Sequence, residues 1–217
     1  MKMVCSQPLG AVIGSQGPRL GAIAAGRADI TVLEALLGRR SVSPRRLLPP
    51  GPDAAEIRTI VSVATAAPDH GLLRPARFIH ISDPKRAALS DVFEAALLER
   101  DPEACPEARA HARSKARNGA VLVALVARIT WDHPVVPASE QWVSVGAGLQ
   151  NVLLAAEALG YRAMIVSGPV TRSRALAGAF DLGADESMVG FIAIGTPSKM
   201  PSRRRSTGYN QDILTTW

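Results

Sequence analysis

The stretch Leu36-Leu37-Gly38-Arg39-Arg40-Ser41 brings two guanidinium groups and a hydroxyl together at the end of an apolar run. Guanidinium pairs with phosphate through two parallel charge-assisted hydrogen bonds, so this set can receive a phosphate-bearing ligand. The same arginines could instead finish a helix over Ile30 to Leu37, where cations complement the negative end of the dipole. On these residues alone the helix ending is the better reading, because so short a motif is unspecific. Two further places could meet a ligand: His70, just after the rigid Pro68-Asp69 turn, and Ser167-Gly168, just after the apolar Ile165-Val166. Loops at strand ends gather ligand pockets in layered folds. Asp69 and His70 could equally do no more than close their turn.

Other chemistries find less support. Gly146-Ala147-Gly148 is the only tempting glycine pair for a dinucleotide fingerprint, but the third glycine position is Asn151 and the residues before it read as helix, so the turn that holds pyrophosphate is missing. Close helix packing accounts better for these glycines. No P-loop, HExxH or GxSxG occurs. Cys5 and Cys105 are the only cysteines and form no CxxC, which indicates neither a zinc site nor a disulfide framework and fits a reducing, cytoplasmic setting. His111 lies on a polar, Ala-rich segment and reads as solvated.

The formal net charge of +6 raises the question of a polyanionic partner, but the arginines are dispersed among acids and make no single stripe. Aromatic residues, at 4%, are too scarce for base-stacking platforms, so no nucleic-acid partner is expected. No run reaches the length of a membrane span. Residues 1–28 read as a flexible extension, because Pro8, Gly10, Gly14, Gly17 and Pro18 break any continuous apolar region of a signal peptide. Residues 29–217 read as one domain.

The elements that must position these groups follow from periodicity. A helix is expected from Ala28 to Leu37, with Asp29 as cap and the arginine pair at its end. Asp53 caps a second helix through Ala66, and Arg77 to Ser82 reads as a strand with Phe78 and His80 opposite Ile79 and Ile81. Helices follow from Pro84 to about Arg100 and from Glu103 to Asn118. Ala120 to Ala127 is continuously apolar, the pattern of a central strand buried on both faces. The helix Glu140 to Gly160 is apolar or small on nearly every side and should be buried all round. A strand at Arg162 to Val166, a helix capped by Thr171 and ending at Phe180, and a core strand at Val189 to Gly195 complete the order. Strands separated by helices predict a three-layer α-β-α sandwich of the α+β class, with a mixed central sheet because the connections are uneven.

An ordered set of motifs carries a resemblance: Arg39-Arg40-Ser41, then Ala66-Ala67-Pro68-Asp69-His70 with Arg74-Pro75-Ala76-Arg77-Phe78, then the 141–160 helix, then Val189-Gly190-Phe191-Ile192-Ala193-Ile194-Gly195-Thr196-Pro197. Together they resemble the FMN-dependent nitroreductase family, in particular its short bacterial subgroup with an Ala-Pro-Asp-His motif, over about residues 29–217. The resemblance implies a homodimer with one FMN in each of two pockets at the subunit interface. It implies an NAD(P)H oxidoreductase that reduces nitroaromatic, quinone or similar electron-poor acceptors by ping-pong hydride transfer, with no acid-base triad of its own. Arg39, Arg40 and Ser41 match the motif that holds the FMN phosphate and ribityl chain, and His70 matches a residue that contacts FMN from the partner subunit. Ile165, Val166 and Ser167 match the strand end beside the isoalloxazine ring, and the 141–160 helix matches the family's dimer helix. Close relatives can carry tryptophan at the position of Ile165, arginine at that of Val166 and arginine at that of Ala66, so the pocket here is more apolar. The phosphate then rests more on Arg39, with Lys199 or Arg203 as helpers. The alternatives are a flavin-binding protein without reductase turnover and a basic nucleic-acid-binding protein.

Overall fold

The computed structural model describes residues 32–200 and 215–216. The 1–28 extension, the start of the first expected helix and Arg203 lie outside the described residues. The helices are α1 (Val32–Gly38), α2 (Ala54–Ser62), α3 (Lys85–Leu98), α4 (Pro106–Ser114), α5 (Ala138–Ala158) and α6 (Arg174–Ala179). The strands are β1 (Leu47–Leu48), β2 (Ala76–His80), β3 (Val121–Arg128), β4 (Arg162–Val166) and β5 (Glu186–Pro197).

The long strand β5 organises the sheet. β3 pairs with most of its length, β4 with Phe191 to Gly195 and β1 with its last residues, while β2 completes the sheet beyond β3. All these pairings are antiparallel, so the mixed sheet expected from the uneven connections is not seen among the described strands. β2 and β3, joined through α3 and α4, are antiparallel neighbours, while β3 and β4, joined through α5, run parallel to each other but flank β5, which runs against both.

Alternation along β3 builds two cores. Val121, Val123, Leu125 and Ala127 pack with α2 and α5, together with Ile192 and Ile194 of β5. Leu122, Ala124 and Val126 pack with Leu89 and Phe93 of α3, Leu176 of α6 and Phe191 of β5. The sandwich therefore has three layers, and a strand read as buried on both faces is buried on both faces. β2 obeys the same alternation: Phe78 joins the α5 side, Ile79 and Ile81 the α3 side. Each fully buried Leu, Ile or Val contributes about 1.5–3 kcal/mol relative to exposure, so this double seam carries much of the folding free energy.

Local signals set the ends. The Asp53 carboxylate accepts from the backbone N–H groups of Ala55 and Glu56 while Glu56 reaches back to the Asp53 N–H, a complete capping box. α4 begins at Pro106, later than the expected Glu103, because proline is suited to the first helical position. The segment after Gly168 first makes a short 3-10 turn, and Ser173, not Thr171, caps α6 by accepting from the Leu176 N–H.

α5 departs most from expectation. Gln141, Ser144, Val145, Gly148, Val152, Leu153 and Ala156 form its buried stripe, but Val143 is 69% exposed and Gly146 is exposed. It is thus not buried all round within one chain. Gly148 lies against Ala64, as close packing requires, whereas nothing approaches Gly146. Gln141 is buried because its amide donates to the carbonyls of Thr130 and Val136 and accepts from the Thr130 N–H, tying the preceding loop to the helix.

Two predictions arise here. A Cβ at Gly190 would stand 2.7 Å from the Val166 carbonyl oxygen, so Gly190→Ala should force β4 from β5 and cost on the order of 1–3 kcal/mol in denaturant unfolding. Arg77 of β2 donates two 2.6 Å hydrogen bonds to Glu186 of β5, across β3. Those bonds from Arg77, opposed by partial burial, hold the Glu186 carboxyl below the usual carboxylate range. A carboxylate with a depressed folded pKa stabilises above its unfolded pKa, about 4.3, and the contribution fades as pH falls through the lower folded value. Glu186→Gln should therefore lower the melting temperature at neutral pH and flatten its fall below about pH 5, a loss of roughly 1–2 kcal/mol because the arginine is partly solvated.

Candidate functional site

The arginine pair divides. α1 ends at Gly38, and the Arg39 N–H closes its last turn on the Ala35 carbonyl. Arg40 turns back: its guanidinium donates to the Leu37 carbonyl at 2.6 Å and to the Arg39 carbonyl at 3.0 Å, so it satisfies the helix end. Arg39 points elsewhere and donates to the Ser41 hydroxyl at 3.2 Å. Among the described residues no carboxylate pairs with Arg39. Glu157, which reaches this corner from α5, is engaged by the Arg40 N–H and by Arg162. Arg39 and Ser41 thus form an uncompensated cation and hydroxyl, the donor set a phosphate needs. Ser198 donates its N–H to the Arg46 carbonyl, so the exposed Lys199 starts beside the turn that follows Ser41.

His70 lies far from this corner. Its Nδ1 is 2.8 Å from Glu140 Oε2, at the start of α5, with both side chains about half exposed. Asp69, by contrast, closes the turn by accepting from the N–H groups of Leu73 and Arg74. The loop holds Gly71, Leu72 and Arg74 at φ of 73°, 53° and 50°, a conformation that bulky residues seldom adopt. Glu140 and Glu157 are on one helix, and at 1.5 Å rise per residue they are about 25 Å apart. Arg39 and His70 therefore lie near opposite ends of α5.

The strand end is also divided by alternation. Ile165 packs on the α5 side of the sheet, while Val166 packs on the α3 side and, with Ser167, lines a cavity there. Among the described strands β4 pairs only with β5, so the backbone groups along its other edge have no strand partner. Gly168, at φ 130°, then takes the chain into the next turn.

The cavity itself was not visible in the sequence, because its walls come from five separated segments. Nor was the partner of His111, whose Nδ1 meets the Arg45 guanidinium at 3.2 Å. A neutral ring nitrogen accepting from arginine places the proton on Nε2. Among the described residues no group of His, Cys, Asp and Glu could hold a metal, and no helix is long and apolar enough to cross a membrane.

The fold, an antiparallel sheet between helical layers, is similar to that of solved nitroreductase-like proteins. The nitroreductase-like protein of Bacillus cereus matches with a TM-score of 0.73 at 18% identity over 88% of this chain and 99% of that one. A variant of the FMN and NADPH-dependent nitroreductase NfnB from Sphigopyxis sp. strain HMH matches with a TM-score of 0.66 at 20% identity over 87% and 99%. The sequence goes further than the fold: the chain belongs to the nitroreductase family, whose model matches residues 36–196, and is by that membership an oxidoreductase. A protein of Escherichia coli K12 named "Putative NAD(P)H nitroreductase YdjA" is 31% identical over 165 residues, 76% of this chain and 87% of its own length. A Haemophilus influenzae protein with the same general name is 29% identical over 173 residues, 80% of this chain and 93% of its own.

Proposed function

We propose that this chain is an FMN-dependent NAD(P)H oxidoreductase that reduces nitroaromatic, quinone or similar electron-poor acceptors, and that it works as a homodimer with FMN between the subunits. The observation that carries this reading is the placement of Arg39 and His70 near opposite ends of α5, so that only a second copy can bring both to one ligand. The exposed apolar residues Val32, Leu36 and Leu37 of α1 and Val143 of α5 give such a copy a surface to cover. The names of the E. coli and H. influenzae relatives supply the nicotinamide, and the description of NfnB supplies FMN.

The residues present fit the cofactor. Arg39 and Ser41 hold the phosphate, helped by Lys199, while Arg40 fixes the helix end from which Arg39 projects. The open edge at the end of β4, Ile165 and Val166, and Ser167 just after it offer backbone groups to the polar rim of the ring system, with Ile165 and Val166 supplying its apolar surroundings. His70 of a second copy closes the site. When bound, the flavin supplies the redox chemistry, taking two electrons from the nicotinamide and passing them to the acceptor. The protein's own work is to position both reactants in turn and to keep water out.

The test is steady-state oxidation of NADH and NADPH by the FMN-loaded protein with a quinone and with a nitroaromatic. Parallel double-reciprocal lines are expected, as two substrates sharing one site require. A yellow protein that oxidises neither nucleotide would be a flavin carrier instead. A colourless protein that retains DNA in a salt-sensitive way would be a nucleic-acid-binding protein.

A further inference from the structure

The cavity beneath α3 and α4 lies on the face of the sheet away from α5 and shares only the end of β4 with the proposed flavin site. Its volume is about 310 Å³, at the small end of ligand cavities. Phe93, Leu122, Val166 and Phe191 supply apolar walls. Phe93 and Phe191 meet edge to face, with ring centroids 5.2 Å apart and planes at 78°, so ring edges and faces are both on offer to a flat guest.

The charge at the cavity is of one sign. Arg45, Arg100 and Lys115 line it, and no aspartate or glutamate does. This is not the rule for the surrounding helices. Arg109 and Arg113 on α4 are neutralised by Glu94 and Asp91 on α3, with nitrogen to oxygen distances of 2.6 Å. The acids between α3 and α4 are thus spent on the arginines away from the cavity. Among the described residues Arg45 has the ring nitrogen of His111 as its side-chain partner, which carries no compensating negative charge. Arg100 and Lys115 form no ion pair among the described residues.

We infer that this cavity binds a small aromatic carboxylate, with its ring against Phe93 and Phe191 and its carboxylate at the Arg45, Arg100 and Lys115 rim. An uncharged aromatic would leave the rim unused, and a large polyanion could not bring its charge and its ring into so small a space together. Ala96, which is buried in the wall, sets the room available to the ring.

Calorimetric titration of the full-length protein as purified, with 2-naphthoate and its neutral counterpart 2-naphthamide, tests the inference. The acid should bind about tenfold tighter than the amide at low salt, since the charged contacts are made only by the acid. That preference should shrink in salt, because the rim is exposed. Ala96→Phe should abolish binding of both, and the double change Arg100→Gln with Lys115→Gln should lower the acid to the affinity of the amide. Absence of binding, equal affinities for acid and amide in the unaltered protein, or binding that survives Ala96→Phe would each overturn it. Should Ala96→Phe not fold, the double variant decides alone, because both of its positions are exposed. The titration needs no flavin, so its outcome is separate from that of the proposed function.

Discussion

On the proposed FMN site, Arg39→Ala is expected to weaken FMN binding about tenfold or more in a fluorescence titration of the flavin-free protein, because a charge-assisted contact to phosphate contributes on the order of 1.5–3 kcal/mol. Arg40→Ala has the smaller effect on FMN. Its guanidinium is occupied by the Leu37 and Arg39 carbonyls, so its loss frays the helix end and acts on the phosphate only indirectly. Equal losses in the two variants would mean that the arginines act as one clamp, and unchanged affinity in Arg39→Ala would remove that residue from the site. The contrast matters more than either number, since it separates a ligand-binding cation from a structural one at adjacent positions.

If the chain forms the proposed dimer, Val143→Asp is expected to convert it to a monomer and to remove the flavin held between the subunits in the same step. Within one chain Val143 is 69% exposed, so the substitution should shift the stability of the isolated fold by no more than about 0.5 kcal/mol. In a dimer packed through α5 it places an unpaired carboxylate in an apolar contact, a cost of roughly 3–5 kcal/mol. Sedimentation together with flavin content reads both consequences. A variant that stays dimeric and yellow would move the interface away from this face of α5, and with it the proposed meeting of Arg39 with His70 of a second copy.

What the sequence disclosed depends on how far each signal reaches. β3 and β5 were legible because a strand buried on both faces needs an unbroken apolar run, and few other structures tolerate one. The Asp53 cap was legible because its partners lie within three residues. The expectation that α5 is buried all round was not met within one chain, for a physical reason: hydrophobicity on every side reports that a helix will be covered, not by what. The structure shows one chain covering the Gln141 to Ala156 stripe and leaving Val143 out. The mixed sheet failed because uneven connection lengths do not fix strand direction.

The candidate site was less legible than the fold. Adjacent arginines leave a helix end in different directions, but nothing in the order Gly38-Arg39-Arg40-Ser41 says which one folds back. Likewise Asp69 and His70 divided between closing a turn and facing outward, which depends on Glu140 far along the chain. The aromatic cavity left no local trace at all. Its cations are scattered from Arg45 to Lys115, and their lack of counter-ions among the described residues appears only once α3 and α4 have paired Glu94 with Arg109 and Arg113.

Whether this chain holds FMN and passes electrons through it is decided by the absorption spectrum of the purified protein before and after anaerobic NADPH or NADH. A flavin spectrum is expected, from a pigment released on denaturation as FMN at one per chain, and it should bleach on addition of one of the two nucleotides. A colourless protein that takes up no FMN when it is supplied would rule out the proposed flavin chemistry.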